Sequence, residues 1–144
     1  IQASQQRLQS VMQQERLPYG DRSMTYNSRL AQELGAWAEE VDPNSSIHQH
    51  LYQAYFVNGL NLADVEVLVQ AATQAGLSAT DAREVLLSRR YEAHVDRDWQ
   101  RCRDLGVTSV PTYQVNDQRV VGAHPDTVLQ QLVTAAGASS RETA

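Results

Sequence analysis

Gly106-Val107-Thr108-Ser109-Val110-Pro111-Thr112-Tyr113-Gln114-Val115 is the stretch on which the fold turns. A helical pattern stops at Gly106, a short loop follows, and a β-branched residue precedes a proline. A run of strand-forming residues then begins at once. Upstream, Tyr91, Val95, Trp99, Cys102 and Leu105 recur at helical spacing, which predicts one long helix from about Tyr91 to Leu105 with Cys102 on its buried stripe. Downstream, Thr112 to Val115 and Arg119 to Gly122 read as two strands joined by a tight Asn116-Asp117-Gln118 turn. Pro125, at a first helical position, opens a last helix. Its inward face carries Val128, Leu129, Leu132, Val133 and Ala136, and Gly137 ends it.

The chain before residue 91 reads as helices and turns. Residues 3–16 form a helix with Leu8, Val11 and Met12 on one side, and Pro18-Tyr19-Gly20-Asp21 breaks it. A second helix runs from Ser28 to Val41, with Leu30, Leu34, Trp37, Ala38 and Val41 inward. Ser46 and Gln49 make a capping box for a third, Ser46 to Asn58, whose stripe is Ile47, Leu51, Ala54 and Tyr55. Asn61 caps a fourth, burying Val65, Leu68, Val69 and Ala72. Ser78 with Asp81 opens a short fifth, burying Ala82, Val85 and Leu86. Trp37, Tyr52, Tyr55 and Phe56 read as core aromatics rather than a ligand cage. Two strands alone make a marginal sheet in water, so the hairpin needs a partner.

Composition narrows the function. The 144 residues carry a net charge of −5, and the acidic residues are spread along the chain. All 12 basic residues are Arg, and no basic stripe marks a nucleic-acid surface. The absence of Lys excludes Schiff-base chemistry by this chain. One cysteine cannot close an internal disulfide. No apolar run reaches the roughly 18 residues of a membrane span. Ile1 to Ser10 reads as polar and Gln-rich rather than as the apolar core of a signal segment. A cytoplasmic location is the expectation, with no cofactor, no metal, no nucleic acid and no membrane. His48 and His50 point to opposite sides of a helix. His94 and Asp98 share a face but lack further ligands. No phosphate loop or nucleophile elbow is present.

In its order of elements the chain resembles the DsbA-type thioredoxin-like oxidoreductases, and among them the FrnE-like branch. The likeness is carried by Asn27-Ser28-Arg29-Leu30-Ala31 through Trp37-Ala38 and by Leu51 to Gly59. It continues in Ala75-Gly76-Leu77, in Asp104 to Thr112, and in Gly122-Ala123-His124-Pro125. Gln32 departs from the branch, whose members usually have His there. The resemblance implies an α/β thioredoxin-like fold, here mostly helical. An all-α insertion (1–105) is followed by the closing β-β-α half (106–137) and a disordered tail (138–144). The opening β-α-β with its Cys-x-x-Cys lies outside this sequence.

The same resemblance implies a cis Val110–Pro111 peptide, with Val110, Pro111 and Thr112 as a substrate-binding platform, although Thr112 reads equally as a plain strand residue. An ordinary loop proline before an edge strand is the plainer reading. His124, just before the last helix, reads either as a minor participant or as a surface loop histidine. Cys102 reads as a core residue, with a resolving or sensor thiol as the alternative. Protein thiols and disulfides, or glutathione, are the implied partners of the intact protein. The isolated chain is expected to be inactive as an oxidoreductase. Two other functions fit the pattern. One is a glutathione-dependent isomerase or transferase of the hydroxychromene-carboxylate isomerase or kappa-class type. The other is a non-catalytic binding module that forms a homodimer through its exposed sheet edge.

Overall fold

The computed structural model describes residues 2–21 and 24–139, with side chains from Gln6 onward. Among the described residues, seven α-helices and two strands follow in the order α1 (Gln2–Gln14), α2 (Arg29–Val41), α3 (Ile47–Tyr52), α4 (Val65–Gln74), α5 (Ala79–Ser88), α6 (Glu92–Asp104), β1 (Thr112–Val115), β2 (Gln118–Val121) and α7 (Asp126–Ala135). The chain divides into two compact units at Arg97/Asp98, inside α6.

In the first unit, α2 to α5 surround one apolar core. Leu34, Ile47, Leu68, Val85 and Leu86 are fully buried, and Trp37 is nearly so. Each such side chain stabilises the fold by about 1.5–3 kcal/mol. The spacing of these residues at three and four positions puts them on one face of each helix, which is why the periodicity predicts them correctly. Val41 and Tyr52, also expected inside, are exposed. Tyr52 lies between the buried Leu51 and Ala54 but off their stripe, and Val41 is the last residue of α2.

Two helix starts differ from the sequence reading. Ser46 makes no side-chain cap bond, and the Ile47 N–H goes instead to the Ser45 hydroxyl. α4 is capped by Asp64, whose carboxylate accepts from the Glu66 N–H, while Asn61 closes a turn onto the Ala63 N–H. The Ser78 hydroxyl does cap α5, accepting from the Asp81 N–H.

α3 does not run on as an α-helix. It widens into a π-helical segment, Gln53–Val57. The cause is visible in the hydrogen bonds. Gly20 donates its N–H to the Phe56 carbonyl at 2.8 Å, and the Leu60 N–H reaches back to Ala54 rather than to Phe56. A Cβ on residue 20 would collide with the Val57 carbonyl oxygen, so only glycine admits this approach.

In the second unit, β1 and β2 pair antiparallel with Thr112 opposite Val121 and Val115 opposite Gln118. The turn is two residues, with Asn116 in the left-handed region at φ 52°. The second strand therefore starts at Gln118, one residue before the expected Arg119. Pro125 caps α7 and Asp126 is its first residue. α7 packs on both strands and buries Leu132, whereas Val133 stays exposed. Trp99, Cys102 and Leu105 are exposed, correcting the expectation that Cys102 lies in a core. Of that stripe, Tyr91, just before α6, and Val95 within it are buried. Residues 140–144 of the expected tail lie outside the described residues.

Candidate functional site

The loop between α6 and β1 is held at each end. Gly106, at φ 66°, donates to the Arg103 carbonyl, and Val107 donates to Cys102. Together these close α6 by a left-handed glycine cap. At the other end the Thr112 hydroxyl donates to the Ser109 carbonyl at 2.6 Å, and the Gly122 N–H donates to the Pro111 carbonyl at 2.8 Å. The Val110–Pro111 peptide is cis. Between these fixed points Val110 stands 87 % exposed. Its backbone N–H and C=O make no hydrogen bond among the described residues.

The register of the hairpin decides where β1 is open. Across a two-residue turn Val115 and Gln118 form the closing hydrogen-bonded pair, so Tyr113 and Val120 form the next. Thr112 and Gln114 then direct their N–H and C=O groups away from β2. Among the described residues no strand pairs with that edge. Val110, Pro111 and Thr112 thus lie together at the head of an open edge. His124 lies on the other side of the hairpin's end, where its Nε2–H donates to the Val121 carbonyl at 3.0 Å. Cys102, in the last turns of α6, makes no disulfide and is exposed.

One residue of this region escapes a reading of the sequence. The Arg119 guanidinium donates to the Leu105 carbonyl at 2.5 Å and to the Gly106 carbonyl at 3.0 Å. It also grips the Gln114 side-chain oxygen at 2.6 Å. A long basic side chain on a strand reads as a solvated face. The signal that could have marked it is the two-residue turn, which places Arg119 directly opposite Gln114.

The first unit holds a different polar cluster. Glu33 is fully buried. Its carboxylate accepts two hydrogen bonds from Arg89, at 2.7 and 2.8 Å, and one from Arg29 at 2.9 Å. Arg29 also donates to Asp96 at 2.6 Å, and Arg89 to Glu92 at 3.2 Å. The Arg89 hydrogen bonds hold the Glu33 carboxyl below its ordinary range, outweighing the opposite effect of burial. Every member has a partner, so the cluster is a structural staple tying α2 to the α5–α6 junction. His48 is paired with Glu39 at 2.7 Å. Among the described residues no three His, Cys, Asp or Glu side chains converge as a metal site, and no helix is long and apolar enough to cross a membrane.

The family model of the DSBA-like thioredoxin domain covers residues 1–134, and the chain belongs to that family. Among curated proteins it is similar to the uncharacterized protein YwbO of Bacillus subtilis (strain 168), with 25% identity over 107 residues. That alignment takes in 73% of this chain and 53% of the relative, so the chain spans about half the length of the curated relative it matches.

Proposed function

We propose that this chain is the helical and closing part of a dithiol–disulfide oxidoreductase of the FrnE-like branch, in which it supplies the substrate platform Val110-Pro111-Thr112. Membership of a thiol–disulfide oxidoreductase family supports the chemistry. Gly122-Ala123-His124-Pro125 supports the branch. The chain has one cysteine, so the reacting dithiol comes from residues outside it. One thiolate of that pair attacks a sulfur of the substrate disulfide. The S–S bond breaks, a mixed disulfide forms, and the leaving sulfur departs as a thiolate. The second thiolate then displaces the substrate, which leaves reduced while the protein pair is oxidised. The reverse sequence oxidises a substrate dithiol.

The observation that carries this reading is the exposed Val110, whose backbone makes no hydrogen bond among the described residues, at the head of the open edge of β1. An extended substrate adds there as a strand, held by main-chain hydrogen bonds that do not depend on its side chains. Such a platform suits protein substrates of many sequences. The test is a titration of the isotope-labelled chain with an unstructured decapeptide bearing a central S-methylated cysteine, followed by amide resonances. Saturable shifts are expected at Val110, Thr112 and Gln114. Shifts confined to α2–α5, or none at the platform, would overturn the reading.

A further inference from the structure

We propose that Arg119 is the positioning residue of this platform, an inference that rests on the functional reading above. The loop from Val107 to Val110 hangs from the end of α6, while the edge it must serve belongs to β1. Something has to fix one against the other. The helix cap orders the chain only as far as Val107, through its bond to Cys102. The Thr112–Ser109 and Gly122–Pro111 bonds order the other end relative to the hairpin. Arg119 is the side chain that joins the two. It is rooted in β2, and its guanidinium spans the Leu105 and Gly106 carbonyls. Both residues directly follow α6, at the end of the helix where the dipole favours a cation.

The side chain is itself held in place. Gln114 faces Arg119 across the strand pair and accepts from both its Nε, at 3.2 Å, and one terminal nitrogen, at 2.6 Å. Gly106 is required by its backbone, at φ 66°, and not by crowding, since a Cβ there would stand 3.7 Å from the guanidinium, an ordinary contact. The planar fork with donors on several nitrogens is what allows one side chain to hold three acceptors at once. Arg119 touches neither substrate nor reacting sulfur. It acts by setting where the Val110 backbone stands relative to the edge groups of Thr112 and Gln114.

The experiment compares the wild-type chain with Arg119→Met and Arg119→Lys by amide hydrogen exchange and by the same decapeptide titration. Met keeps the length of the side chain and removes every donor. In Arg119→Met the Val107 and Gly122 amides, which report the two ends of the loop, should exchange about tenfold faster. Tyr113 and Val120, which report the hairpin ladder, should stay within about twofold. Peptide shifts at Thr112 and Gln114 should weaken several-fold, and Arg119→Lys should recover part of both effects by restoring a cation at the carbonyls.

A uniform rise in exchange across the hairpin would mean a merely structural role and overturn the inference. So would unchanged exchange with unchanged peptide binding. If Arg119→Met does not fold, Gln114→Ala, which removes the second grip on the guanidinium, should give the same selective pattern more weakly, and a uniform one would again overturn it. Failure of the wild-type chain to take the peptide at all would count against the platform itself. The exchange of Val107 and Gly122 would still decide whether Arg119 positions the loop.

Discussion

Arg89 occupies a left-handed conformation, φ 54°, at the end of α5, where a non-glycine residue costs about 1–2 kcal/mol. Glycine would fit there more easily, yet only an arginine reaches Glu33 with two donors. Arg89→Gly should therefore lower stability by about 2 kcal/mol, and Arg89→Ala by about 1 kcal/mol more, because alanine loses the pairing and keeps the strain. Denaturant unfolding of the three proteins checks the order. Glu33 gives the cluster its pH dependence. Its folded pKa is lowered by Arg89 and Arg29 relative to the unfolded chain. The stabilisation is complete above the unfolded carboxylate value of about 4.3 and is lost as pH falls through the lower folded value. Glu33→Gln should be about 3 kcal/mol less stable at neutral pH, with the gap to wild type narrowing below about pH 4. A gap that stayed constant through that range would show that Glu33 is not the group responsible. None of this was legible in the sequence. A glutamate on an amphipathic helix reads as solvated, and its chief partner lies 56 residues further on.

At the level of elements, the helices legible in the sequence are those whose apolar residues have a neighbour to cover them. α2, α4 and α5 follow their periodicity closely. The reading fails where a contact from elsewhere intervenes. The spacing of Ile47, Leu51, Ala54 and Tyr55 is regular, but the Phe56 carbonyl is taken by Gly20, and the helix opens into a π turn. Gly20→Ala tests that account. With a methyl group driven against the Val57 carbonyl, the backbone must move apart, which should destabilise by about 1–3 kcal/mol. The change should appear in exchange at Asn58 and Leu60, whose amides close the wide turn, before it appears at Leu68 or Val85. The second half of α6 fails for the opposite reason. Its stripe of Trp99, Cys102 and Leu105 is apolar and regular, but all three side chains are exposed, so periodicity there marks a face without marking a core.

On the scale of the whole molecule, the sequence makes the order of elements legible and leaves the connection between them hidden. The loop from Gly106 to Pro111, the hairpin and the last helix can all be read from glycine, proline and strand-forming residues. That Arg119 joins the helix end to the hairpin cannot, because it needs the strand register and the carbonyl positions together. The catalytic capacity of the chain follows from the same accounting of groups. Two thiols acting in turn are needed to reduce a disulfide without leaving a mixed disulfide behind. This chain has one, Cys102, exposed in the last turns of α6. It can exchange once with a disulfide, but no second thiol of the chain can resolve the product. In an insulin-reduction assay driven by dithiothreitol, the isolated chain should leave the uncatalysed rate unchanged, and Cys102→Ser should behave identically. In the same preparation, the native protein should react with one equivalent of an aromatic disulfide reagent about as fast as the unfolded chain does, since the thiol is already open to solvent. Turnover comparable to that of a thioredoxin, abolished by Cys102→Ser, would show that a single thiol suffices and that the platform need not await a dithiol from outside the chain.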